Sequence, residues 1–193
     1  MSRTQTDPSG KRLVGIDLGT TNSAVAWTRS RGPIRIFEVP QLASAAEIAR
    51  AVTLPSFLYF PSESERQAGL TRLPWNETPE VVAGVFARDH GALAPARQIA
   101  SAKSWLANPS VDRTAPLLPW GTEEGPRLSP VQASAALLAH LRDAWNLIAY
   151  GPGAFHFLPA SAWKRSFSGG RLAIVRQAAC TPFVRVFELG RER

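Results

Sequence analysis

Hydrophobic positions at the start of the chain fall into short, strand-like runs. Residues 13–18 and 23–29 are rich in Val, Ile and Ala and are separated by a polar turn, which predicts two antiparallel strands joined as a hairpin. Ser30, Arg31, Gly32 and Pro33 make a second turn, and residues 34–39 (IRIFEV) alternate apolar and polar, which predicts a third strand. After a short Ala-rich piece, residues 53–60 (TLPSFLYF) form a β-prone run with Pro55 near its start, where a missing amide is tolerated. Helical spacing takes over from about Pro79: Val82, Val85, Phe86 and Asp89 form one series, and Ile99, Lys103 and Leu106 another, with a break at residues 91–95. The clearest helix has Ser129 as N-cap, Pro130 at its first position, and Val131, Ala135, Leu138, Leu141 and Trp145 on one face. Beyond Tyr150 caps and amphipathic spacing are missing, although GPGAFHFLPASAW offers one β-prone run and RLAIVRQAACTPFVRVFEL two.

With 193 residues the chain can form one domain with a real core, or one lobe of something larger. A composition of 45% hydrophobic and 19% charged residues with six Trp is that of a folded protein, and only residues 1–11 read as a loose leader. The Trp residues, Trp105, Trp120 and Trp145 among them, are expected in packing, and Lys103 at the surface. The leader has no apolar core, and no apolar run approaches the roughly 18 residues of a membrane span. The expectation is a cytoplasmic protein with no membrane partner. Cys180 has no second cysteine to pair with, and His90, His140 and His156 lack metal-ligand spacing.

The net charge of +7 changes the picture only in one place. Residues 1–150 carry 15 Lys and Arg against 13 Asp and Glu, whereas residues 151–193 carry 7 against 2. Trp163, Lys164, Arg165 and Phe167 have the aromatic and basic interleaving of a phosphate-backbone surface. A basic run of this kind is more commonly a solvated terminus, so no specific nucleic-acid partner is expected.

The chemistry concentrates in LVGIDLGTTNSAVAW, residues 13–27. A turn that holds phosphate oxygens needs backbone that can come close, amides directed at the anion, and hydroxyls for the remaining lone pairs. Gly19, Thr20, Thr21 and Asn22 supply all three. A phosphate bound with magnesium also needs a nearby carboxylate to hold the ion's water shell, and Asp17 stands at the end of the first strand for that. The string is not a P-loop, which wants a Lys and a Ser or Thr after its last Gly and then a helix.

These residues resemble the first phosphate motif of the actin-like ATPase superfamily, and GIDLGTTNS is similar to the opening of DnaK-type heat-shock chaperones. Sugar kinases of the superfamily open similarly but do not usually continue with Asn-Ser, so Asn22 and Ser23 favour the chaperones. LPSFLYFPSE (residues 54–63), VAGVFARDHGALAPARQIASAKSWL (residues 82–106) and SPVQASAALLAHLRDAWN (residues 129–146) resemble later segments in the same order. The resemblance implies an α/β fold, an actin-like (ribonuclease H-like) lobe with an inserted helical subdomain, spanning residues 12–150. It implies ATP or ADP with magnesium as ligands: Gly19, Thr20, Thr21 and Asn22 at the phosphates, Asp17 on magnesium through water, and Asp17, Thr20 and Arg88 in hydrolysis.

Two departures qualify that expectation. Where the family has the lysine of G-x-x-A-K, this chain has Arg88, and a planar guanidinium is not equivalent to a compact ammonium in a tight γ-phosphate site. The family's second phosphate motif, adenosine-binding glycines and substrate domain have no counterpart, which suggests an incomplete lobe followed by a truncated or frame-altered basic tail, residues 151–193. Binding of unfolded polypeptide and co-chaperones is then expected only of complete relatives, and weak ATP binding with little or no hydrolysis of this chain. A fragment of an actin-fold sugar kinase and a non-catalytic remnant are the alternatives.

Overall fold

The computed structural model describes residues 12–29, 32–122, 125–150 and 186–188. Strands β1 (Arg12–Asp17) and β2 (Asn22–Arg29) form the expected antiparallel hairpin, in register from Arg12 opposite Arg29 to Asp17 opposite Ala24. Val14 faces Trp27 and Ile16 faces Val25, and this one apolar face joins the main core. On the far edge of β1, β10 (Val186–Glu188) pairs antiparallel with residues 13–15. One of the β-prone runs after Tyr150 thus supplies a strand, and the other expectations for residues 151–193 lie outside the described residues.

The run 34–39 is not one strand. β3 (Arg35–Ile36) pairs with β2, the amide of Phe37 still donates to the Val25 carbonyl at 2.9 Å, and Val39 already belongs to the next strand. The Phe37 side chain meets Trp145 edge-on at 5.2 Å. The Ala-rich piece that follows is a second hairpin, β4 (Val39–Ser44) and β5 (Glu47–Ala51). Its turn holds Ala46 at φ 58°, a conformation that costs an L-residue roughly 1–2 kcal/mol. The amide of Ala46 donates to the carbonyl of Leu70 at 2.7 Å, which fixes the turn from outside the hairpin.

The β-prone run 53–60 divides at Ser56 between two sheets. Ahead of it, β6 (Leu54–Pro55) pairs with Asn22 and Ser23 of β2. After it, β7 (Phe57–Tyr59) is the centre of a three-stranded sheet between β8 (Val82–Ala83) and β9 (Gln98–Ala100). The helical series expected across 79–106 is therefore corrected. Each of its two parts begins in a strand, and its α-helices are two short turns, α2 (Val85–Asp89) and α3 (Ala102–Leu106), with the capped α1 (Glu63–Gln67) earlier in the chain. Gly84 makes the abrupt change from β8 to α2 at φ 100°, and a Cβ there would overlap Gln41 Oε1 and stand 2.8 Å from Leu54 Cδ1. Gln41, itself buried, receives the amide of Val85 and donates to the Thr53 carbonyl, tying β4 to the start of α2.

The long helix α4 (Pro130–Tyr150) starts as expected. Ser129 Oγ accepts from the amide of Gln132, and Gln132 Oε1 accepts from that of Ser129, a reciprocal cap. Its buried face is rotated from the expected one: Ala133, Leu137, Leu141, Ala144 and Trp145 are inside, while Val131 is 47% exposed and Ala135 also faces solvent. Small and apolar residues surround the first turns, so spacing alone leaves the phase open, and packing selects the side where Ala133 and Ala144 permit close approach. Trp145 meets Trp27 at 5.7 Å, and His140 donates through Nε2 to the Pro40 carbonyl at 2.9 Å. Among the described residues no helix is long and apolar enough to cross a membrane.

Two outcomes test this description. Replacing Ala46→Gly removes the left-handed strain while loosening the unfolded chain by a smaller amount, so denaturant unfolding is expected to show a gain of about 0.5–1 kcal/mol. His140 tests the seat of α4. Burial pushes its pKa from 6.5 down to about 4, against the opposing pull of the Pro40 carbonyl and Asp143. The unfolded chain takes up a proton near pH 6.5 that the folded chain refuses until about pH 4, so stability falls as the pH drops through this window and levels off below it. The loss is on the order of 3 kcal/mol. Urea titrations across the window are expected to show that slope in the native chain and a clearly shallower one in His140→Gln.

Candidate functional site

The tip of the β1–β2 hairpin is exposed at Asp17, Thr20, Thr21 and Asn22 and half-buried at Leu18 and Gly19. All five residues expected at the phosphates and the metal thus lie together on one loop. A Cβ on Gly19 would run into the carbonyl oxygen of Asn22, so the turn closes only with glycine. Among the described residues the Asp17 carboxylate, the Thr20 and Thr21 hydroxyls and the Asn22 amide have no hydrogen-bond or ion-pair partner.

What holds this loop is Ser56, which reading the sequence did not single out. Its amide donates to the Thr21 carbonyl at 2.8 Å and its hydroxyl to the Gly19 carbonyl at 2.9 Å. Because the Ser56 proton is committed to Gly19, the 2.9 Å bond between the Ser23 and Ser56 hydroxyls runs from Ser23 as donor. Both serines are buried. The available signal was a hydroxyl in the middle of an otherwise apolar strand run, directly after a proline.

Arg88 takes a different position. It lies on α2, side chain 45% exposed, with Nε 2.7 Å and Nη2 3.1 Å from the two carboxylate oxygens of Asp89. That bidentate pair holds the Asp89 carboxyl below its usual range and the Arg88 guanidinium above its own. The guanidinium thus bonds its chain neighbour and makes no contact with the tip. The link between the two regions is through backbone, since the amide of Gly84 donates to the Phe57 carbonyl, one residue past Ser56.

A second polar cluster, also not anticipated, centres on Glu65. Its carboxylate receives the Ser62 amide at 2.6 Å, His90 Nε2 at 2.6 Å and the Tyr59 hydroxyl at 3.1 Å. Burial raises the Glu65 pKa, but the bonds from Ser62, His90 and Tyr59 outweigh it and hold the carboxyl below its usual range. His90 also stacks on Phe86 at 4.5 Å. The cluster fastens α1 to the end of α2. Among the described residues no group of three or more His, Cys, Asp and Glu comes together as a metal site.

Comparison of the sequence with protein-family models gives no match, and no curated protein is significantly similar to it.

The base of the tip can be tested by removing each hydroxyl. Ser56→Ala leaves the buried Ser23 hydroxyl and the Gly19 carbonyl without their partner, and a loss of about 1–3 kcal/mol is expected. Ser23→Ala leaves the Ser56–Gly19 bond in place and is expected to cost less. Chemical denaturation of both variants checks the order, and equal losses would show that the two hydroxyls do not form the chain described.

Proposed function

We propose that the chain is a nucleotide-binding lobe of the DnaK chaperone type, with the β1–β2 tip as the seat of the phosphates of ATP or ADP. The observation that carries this reading is that Asp17, Thr20, Thr21 and Asn22 stand exposed, with side chains unpartnered among the described residues, on one glycine-closed loop with a buried hydroxyl base. The resemblance of GIDLGTTNS to the opening of those chaperones supports it. In this reading the loop amides, the two threonine hydroxyls and the Asn22 amide bond the phosphate oxygens. The Asp17 carboxylate suits magnesium held through water, because this ion needs few protein ligands when phosphate supplies the rest. Magnesium bound there offsets phosphate charge.

Arg88 enters this scheme only by exchanging Asp89 for a phosphate, and it then offers a fork of donors in place of a compact charge. The proposal for this chain is therefore nucleotide binding with slow or absent turnover. Coupling to unfolded polypeptide and co-chaperones belongs to complete members of the family.

Calorimetric titration with magnesium and ATP tests the reading. Binding weaker than micromolar is expected, and Thr20→Val with Thr21→Val should weaken it a further tenfold or more, since bonds to charged oxygens are worth roughly 1.5–3 kcal/mol. Asp17→Asn should remove most of the gain that magnesium confers. Micromolar binding in the native chain would contradict the expected weakness. Heat unchanged by the threonine substitutions would place the nucleotide elsewhere, and transfer of phosphate to a polyol would favour the sugar-kinase alternative.

A further inference from the structure

Away from the tip, α4 stands over the segment between Leu73 and Ala83 across a cavity of about 510 Å³. Leu58, Val81, Ala83, Ala136 and Ala139 give it apolar walls. Trp75 adds an aromatic wall and meets the His140 ring edge-on at 5.1 Å.

The charged residues that line this space share one sign, and Asn76 and Thr78 add neutral polar groups. His140 lines the cavity and is buried. Its Nε2 carries the ring proton, because the partner is the Pro40 carbonyl, which can only accept. Its Nδ1 is therefore a lone-pair acceptor, and it has no hydrogen-bond partner among the described residues. Two acidic residues also line the cavity, Glu80 and Asp143. Glu80 has no partner among the described residues, and Asp143, although bound by Arg142 at 2.6 and 2.8 Å, keeps a second lone pair on each oxygen. Among the described residues no Lys or Arg lines the space.

We propose that this cavity is a binding site for a small organic ammonium ion, with N–H donors on the charged head and an apolar body. The head donates to His140 Nδ1 and sits near the Glu80 carboxylate and the Trp75 ring, whose π face attracts cations. The body packs between the apolar side chains of β7, β8 and α4. Burial keeps the imidazole uncharged at neutral pH, with its pKa pushed down to about 4, so it does not repel the cation. A carboxylate ligand meets the like charge of Glu80, with Asp143 held by Arg142, and no Lys or Arg among the described lining residues. The site stands apart from the nucleotide reading, since none of its residues belongs to the tip.

The test uses the full chain at neutral pH with three probes of matched shape: phenethylamine, phenethyl alcohol and phenylpropionate, followed by saturation-transfer and chemical-shift NMR. The amine is expected to bind saturably, the alcohol about tenfold more weakly, and the carboxylate not at all. Glu80→Gln, at an exposed position, is expected to weaken the amine about tenfold, equivalent to about 1.4 kcal/mol, and to leave the alcohol unchanged. Ala139→Phe places a ring in the cavity next to His140 and is expected to weaken binding of both about tenfold. The proposal is overturned if the native chain binds no amine or binds the carboxylate as well as the amine. It is equally overturned if an Ala139→Phe chain that unfolds as cooperatively as the native one binds the amine as tightly as the native chain.

Discussion

The buried pair of hydroxyls at Ser23 and Ser56 is the joint on which the rest of the architecture turns. Ser56 is the residue at which one β-prone run leaves the hairpin sheet and enters the sheet of β7, β8 and β9. At that crossing its amide and hydroxyl have no ladder to join, and buried polar groups left unpaired are costly. They are satisfied by the carbonyls of Thr21 and Gly19 instead. The same bonds that resolve the strand switch therefore fix the hairpin tip, and the tip's own side chains are left free to face outward.

Around this joint the elements are tied by a few buried polar links and clad by apolar contact. Gln41 bridges Thr53 and Val85, so β4 reports on where α2 begins. On the other side α4 is seated by Trp145 against Trp27 and Phe37 and by His140 against the Pro40 carbonyl. Because α4 is held at these points and bears small residues at Ala136 and Ala139, its middle stands clear of the 73–83 segment, and the cavity lies there. The burial that lowers the His140 pKa leaves one ring nitrogen as an unmatched acceptor.

The hairpin, its donor-rich turn and the cap of α4 were legible in the sequence because each is decided within a few residues of itself. Alternating apolar positions fix the β1–β2 face, glycine permits the closed turn, and Ser129 with Gln132 satisfies the orphan amides of the helix start. The five tip residues are found together because they are neighbours in the chain. Mixed α/β character follows from the same signals.

What only the tertiary structure decided depends on partners far apart in sequence. The β4–β5 hairpin has no Gly, Asn or Pro at its turn, and Ala46 holds a left-handed backbone because Leu70 receives its amide. The periodicity of residues 79–106 reads as helix, yet Val82 and Ile99 are committed to strands by pairing with β7 across the chain. The face of α4 is set by where Trp27, Phe37 and Pro40 arrive, since the helix itself is apolar on more than one side. Arg88 bonds Asp89, its neighbour in sequence, and not the tip. Spacing along a chain records local geometry, whereas burial, strand partnership and the choice between competing charges depend on which distant groups are present to receive them.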